Sequence, residues 1–225
     1  MMVRLEREGA GVAEATIRDI VVGGMTALDE DAIHHHLEEM KAIGVKMPDS
    51  FPFFFRISAG FLTQADHVQV LGTDSSGEVE AVVVSLDDER WLTVGSDHTD
   101  RKVEAYSINV SKQMCPKVIG RKAWRFAEVS GHWDRLIIRS WTTTDGVRAL
   151  YQEGPLASMR HPDDLTARYL GGPGALAPNT VLFCGTIGAM GPLAHSERFE
   201  MEIEDPVLGR RIGHAYDIEA LPRID

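Results

Sequence analysis

The chain has 225 residues, with 34 acidic against 23 basic side chains and a formal charge of −11. That acidic balance, with no basic stripe, argues against a nucleic-acid partner, and no apolar run is long enough for a membrane-spanning helix. Cys115 and Cys184 lack metal-pair spacing and the N-terminus MMVRLEREGAG lacks the apolar centre of a signal peptide, so a reduced, cytoplasmic protein is expected.

Residues 13–21 (AEATIRDIV) mix β-branched and charged residues and predict an early strand. TALDEDAIHHHLEEMKAIG, 26–44, has a helical period: Ile33, Leu37, Met40 and Ile43 recur at spacings of three and four. Thr26 or Asp29 would cap that helix and Gly44 would end it. From 51 onward short strands follow, at FPFFFRI, HVQVLG, EVEAVVV, RWLTVGS, KVEAYSINV, DRLIIRSW, TVLFCGTIGAM, RFEMEIED and RRIGHAYDI. A second helix is expected over HPDDLTARYL, 161–170, with Pro162 at its start, and LGGPGALAP, 170–178, reads as a surface loop. The expected class is therefore α+β and mainly β, one domain over 1–225. It divides into an N-terminal strand and helix segment, 1–50, and a β core, 51–225.

SGEVEAVVV, 76–84, places two carboxylates one residue apart. In an extended chain Glu78 and Glu80 project from the same face. Such a pair is either a solvated strand face or a pair of ligands for a cation. Asp97, in GSDHTDR, is likewise either an Asx-turn residue or a third oxygen ligand.

In sequence order, SGEVEAVVV is similar to the E-x-E-x-A-V-V-I strand of the fumarylacetoacetate hydrolase family, and GSDHTDR to that family's N-D-x-[ST]-A-R-D segment. LAPNTVLFCGTIGAMGP, 176–192, resembles its L-x-P-G-D-V-[IL]-x-T-G-T-P-x-G-x-G segment, and RFEMEIEDPVLGRRIGHAY the strand pair after it. HHLEEM, 35–40, resembles the family's H-x-x-E-M helix, and FPFFFRISAG its phenylalanine-rich strand. The likeness spans roughly residues 20–217. With SKQMCPK and GHWD it narrows to a bacterial, DUF2848-like subgroup of unsettled function.

The resemblance implies a mixed β-sandwich roll with a helical N-terminal section, assembled as a homodimer around Mg²⁺ or Mn²⁺. It places Glu78, Glu80 and Asp97 on the metal positions and Gly185 and Thr186 on the turn that holds a substrate carboxylate. Arg101 falls on the arginine that supports the metal loop. His36 and Glu39 fall on a dyad that activates water, although GGMTALDED is a longer spacer than the family's G-x-N-Y. An active-site lysine should follow the aspartate: Lys117 has the family separation, with Lys122 and Lys112 as alternatives. His98 could be a ligand or support one, and specificity would lie in a loop region, 142–176. The implied activity is metal-dependent hydrolysis of a C–C bond in a 2-keto acid such as an acylpyruvate or fumarylpyruvate. A decarboxylase or 2-keto-3-deoxy acid dehydratase on the same fold is the alternative, and a non-catalytic binding protein the third reading.

Overall fold

A computed structural model describes residues 1–29, 50–87 and 89–224. The helix expected over 26–44, and with it His36 and Glu39, lies almost wholly outside the described residues.

The described chain is mainly β, built on a ten-stranded curled sheet, a five-stranded sheet and a short two-stranded pair. Along the large sheet the order is Gly11–Thr16, Met2–Arg7, Lys122–Arg125, Glu89–Asp97, Val79–Leu86, Thr180–Thr186, Asp19–Gly24 and Phe53–Ile57. Lys117–Ile119 joins it beside Glu89–Asp97 and pairs in turn with Leu62–Thr63. The second sheet runs Val147–Pro155, Ile137–Thr144, Arg198–Asp205, Arg210–Leu221, His67–Leu71.

Val79–Leu86 lies at the middle of the large sheet and every one of its residues is buried. That explains its near-continuous valine run, because a strand covered on both faces has no polar side to show. Val79, Ala81 and Val83 pack with Phe199, Met201 and Ile203 of the second sheet. Val82 and Val84 face the opposite way, into a cluster with Leu5, Ile20, Val22 and Phe55. By alternation Glu80 shares this second face. The two clusters thus clamp the carboxylate-bearing strand from both sides.

Several expected elements differ. Residues 13–21 are not one strand but the end of Gly11–Thr16 and the start of Asp19–Gly24, separated where Arg18 N–H donates to Asn179 O at 2.9 Å. KVEAYSINV is not a strand: helices run over Arg101–Glu104 and Ile108–Met114. Side chains decide this, since Asp100 accepts from Val103 N–H and Ser107 from Val110 N–H, giving both helices N-caps. The Thr26 hydroxyl donates to Cys184 O at 2.8 Å. The region 142–176 is not a loop. It holds the strand Val147–Pro155 and the helix Pro162–Leu170, the latter as expected and ended by Gly171. Among the described residues no helix is long and apolar enough to cross a membrane.

Candidate active site

One oxygen from each of Glu78, Glu80 and Asp97 lies within 4.8 Å of the other two. Glu80 faces Gly95 across the Glu89–Asp97 strand, and Asp97 ends that same strand. Register therefore brings together residues separated by nineteen positions. The trio adjoins a cavity of about 370 Å³ whose wall includes Glu78, Glu80, Arg101, Glu104, Lys112, Gly185 and Thr186. Phe53, Phe55, Ile108 and Leu193 supply its apolar part.

Three cations surround the carboxylates. Arg101 donates from Nη1 to Glu78 Oε1 at 3.0 Å and to Glu104 Oε2 at 2.9 Å, and from Nε to Ser76 Oγ at 2.7 Å. Lys112 Nζ donates to Asp97 Oδ2 and lies 3.4 Å from Glu78 Oε2. Lys117, directly opposite Asp97 in the antiparallel register, places Nζ 2.8 Å from Asp97 Oδ1 and donates to His98 O at 2.7 Å.

Their effects on the acids diverge. Burial alone would raise Asp97, but Lys112 and Lys117 override it and hold its pKa down at about 2. Glu78 behaves likewise: burial pushes it up, and Lys112 with Arg101 brings it below its ordinary value. Among the described residues Glu80 has no comparable partner. Burial, then the charges of Asp97 and Glu78, raise it well above the usual carboxylate range, against the pull of Lys112 and the Gly185 N–H at 2.6 Å.

Three carboxylates, Glu80 and Asp97 buried and Glu78 partly so, held in or beside paired strands, fit a hard dication, which takes carboxylate ligands and leaves other positions for water or substrate oxygens. Ligation requires ionised carboxylates. Mg²⁺ affinity should therefore climb with pH until Glu80 is ionised, and binding below that point should release about one proton. Calorimetry in buffers of different ionisation enthalpy measures this. Without metal the sign reverses for stability. The folded state keeps the Glu80 proton longer than the unfolded chain, so stability falls as pH rises from the unfolded value through the folded one.

Thr186 ends its strand, across a register shift between Phe183 and Thr186 that re-aims the turn. Its Oγ1 donates to Val79 O at 2.8 Å, so its proton is committed to a backbone carbonyl. Gln152, which the sequence reading did not single out, explains how. Its Oε1 accepts from Val79 N–H at 3.0 Å and from Ser140 Oγ at 2.9 Å. Its Nε2 donates to Thr186 Oγ1 at 2.8 Å and Ile187 O at 2.6 Å. Val79 sits between the two glutamates, so a side chain from the second sheet holds the backbone that aims both. Gln152→Met should cost about 3 kcal/mol, because a buried N–H and two hydroxyls lose their partner. Thermal melts should show this as a drop of roughly 6–12 °C.

The remaining sequence candidates fall as follows. Lys117 is fully buried behind Asp97 and is not part of the cavity wall, whereas Lys112 is. Lys122 is exposed. His98 does not face the carboxylates: Nδ1 lies 3.0 Å from Tyr216 Oη and Nε2 3.0 Å from Ser75 Oγ. Burial, followed by the charges of Lys117 and Arg101, lowers its pKa to about 3, so the ring is neutral at ordinary pH. Tyr216 in turn donates to Ser96 Oγ at 2.9 Å, which accepts from Glu78 N–H. His98 thus buttresses the Glu78 backbone. Cys115 and Cys184 are buried and unpaired. Glu104 was also missed. The Arg101–Glu104 spacing would have exposed it had the segment been read as a helix.

A model of the family described as "Protein of unknown function (DUF2848)" matches residues 23–216. No curated protein matches the chain. Among solved structures, a candidate fumarylacetoacetate isomerase/hydrolase from Oleispira antarctica superposes with a TM-score of 0.67 at 16% identity, covering 96% of this chain and 100% of that one. The yeast protein ynq8, of the fumarylacetoacetate hydrolase family, gives 0.61 at 16%, covering 92% and 95%. A 2-keto-3-deoxy-D-arabinonate dehydratase complexed with magnesium and 2,5-dioxopentanoate gives 0.63 at 16%, covering 95% and 78%.

Proposed function

Starting from a chain that belongs to the DUF2848 family and has the fold of fumarylacetoacetate hydrolase family proteins, we propose a divalent-metal-dependent enzyme that cleaves a C–C bond in a 2-keto acid by hydrolysis. The observation that carries this reading is the clustered trio Glu78, Glu80 and Asp97, the last two buried, beside a cavity that also offers Arg101 and Lys112.

In this reading the three carboxylates hold Mg²⁺ or Mn²⁺. The bound dication supplies Lewis acidity at the substrate's keto oxygen as the C–C bond breaks. Arg101, held by Glu78 and Glu104, offers a fixed positive charge to the substrate's carboxylate, and the Gly185–Thr186 turn forms the adjoining wall. Lys117 holds Asp97 from behind, keeping it ionised and aimed, and so acts on the chemistry through that carboxylate. The apolar wall of Phe53, Phe55 and Ile108 excludes water from the acyl end of the substrate. Water activation is assigned to His36, oriented by Glu39, outside the described residues. A homodimer and a cytoplasmic setting belong to the same proposal and rest on family likeness.

A lyase is the second reading. Among the described residues that line the cavity there is no histidine, and the fold matches a magnesium-bound dehydratase. Product analysis with Mg²⁺ decides between them. An acylpyruvate, oxaloacetate and a 2-keto-3-deoxy-sugar acid are supplied in turn. Pyruvate plus a free carboxylic acid from the first supports hydrolysis. Turnover of oxaloacetate alone identifies a decarboxylase, and of the sugar acid alone a dehydratase. If none is turned over and calorimetry detects no metal, the enzyme reading fails in favour of a binding protein.

A further inference from the structure

Of the three cations at the carboxylates, Arg101 is shared with Glu104 and Ser76, and Lys117 is tied to a backbone carbonyl in a fully buried position. Lys112 differs from both. It stands on the helix Ile108–Met114, one turn after Ile108, and both residues line the cavity. Among the described residues its ammonium hydrogen-bonds to side-chain oxygens, Asp97 Oδ2, Glu78 Oε2 at 3.4 Å and Thr99 Oγ1 at 3.5 Å, and lies 5.9 Å from the centre of the Phe55 ring. No backbone carbonyl is among those partners, and the four-carbon stem allows the head to swing without moving the helix.

Asp97 and Glu78 are two of the three carboxylates that suit a dication. Cations already occupy both oxygens of each: Lys117 and Lys112 take those of Asp97, Arg101 and Lys112 those of Glu78, so a dication with oxygen contacts of about 2.0–2.6 Å must compete with Lys112 for them. We propose that Lys112 is an exchangeable cation of this site: an entering dication displaces its ammonium, which then joins Arg101 as a partner of the substrate's carboxylate on the cavity wall. This inference rests on the metal reading under Proposed function and adds the order of events to it.

Charge supports the order. Ionised as ligation requires, Glu78, Glu80, Asp97 and Glu104 supply four negative charges at the site against the three positive ones of Arg101, Lys112 and Lys117 among the described residues. A dication makes the site positive by one, and a monocarboxylate then balances it. Metal should bind first, and the acid only to the loaded protein.

Calorimetric titration of Mg²⁺ into the wild type and Lys112→Met tests the exchange. With the competing ammonium removed, Lys112→Met should bind Mg²⁺ at least about tenfold tighter, some 1.4 kcal/mol. Mg²⁺ should also raise its melting temperature more than that of the wild type, since the dication replaces a missing counter-charge. Pyruvate, titrated into the Mg²⁺-loaded proteins as the probe acid, should bind the variant at least about tenfold more weakly, the same free-energy step in the other direction. If Lys112→Met folds poorly, recovery of the fold by Mg²⁺ supports the exchange, and Lys112→Gln repeats the titration. Mg²⁺ affinity equal to or below that of the wild type in both variants overturns the exchange. Unchanged pyruvate affinity overturns the carboxylate role. If the wild type itself binds no Mg²⁺, the metal reading fails and takes this inference with it.

Discussion

Glu80→Gln should abolish tight Mg²⁺ binding while leaving the fold in place. Glu80 is 1% exposed and, among the described residues, is the one carboxylate of the trio without a cation in hydrogen-bonding contact. Burial and its two acidic neighbours favour its protonated form in the absence of metal. A glutamine reproduces that neutral group in size, and its amide oxygen can still accept the Gly185 N–H. Stability should move by less than about 1 kcal/mol, a melting shift below roughly 4 °C. Metal binding, by contrast, loses one of three charged ligands in a buried site. A loss of at least about a hundredfold, some 2.8 kcal/mol, is expected by calorimetry. Lost metal with a retained melting temperature is the signature; a matched loss of fold would instead make Glu80 structural.

Gly185→Ala should damage the fold and the site together. Gly185 has φ +90, a conformation that side chains with a Cβ rarely adopt, and an added Cβ would lie 1.9 Å from Thr26 Oγ1. Thr26 cannot easily yield, because its hydroxyl donates to Cys184 O in the next peptide. The strained backbone and the overlap should cost at least about 3 kcal/mol together. The same movement would pull the Gly185 N–H from Glu80, so metal affinity should fall as well. Thermal melts in the Thr26→Ala background separate the two causes. Removing that hydroxyl should recover the overlap part and leave the part due to φ.

Much of the sheet is legible in the chain because strand alternation is local. EVEAVVV, RWLTVGS and RFEMEIED carry period-two or doubly buried patterns, and each is a strand within a residue or two of its expected limits. KVEAYSINV misleads for an equally local reason: its β-branched residues read as a strand, while Asp100 and Ser107 just outside or within it cap two helices. The strand Val147–Pro155 carries exposed residues along two-thirds of its length, so it offers no apolar pattern to detect.

Local spacing is enough to tell which acids stand together along the chain, since i and i+2 in a strand share a face whatever surrounds them. The valines likewise place the strand bearing them in the interior. What those acids meet depends on contacts between distant segments. Asp97 reaches Glu78 and Glu80 through sheet register. Lys112 reaches the cavity because a short helix is aimed there, while Lys117, at the separation expected of the active-site lysine, is turned behind the aspartate. Gln152 comes from the other sheet, more than seventy residues away in sequence from the Val79 it holds. Contacts of that range depend on how the sheets pack and where long side chains end, and no spacing rule within one segment encodes them.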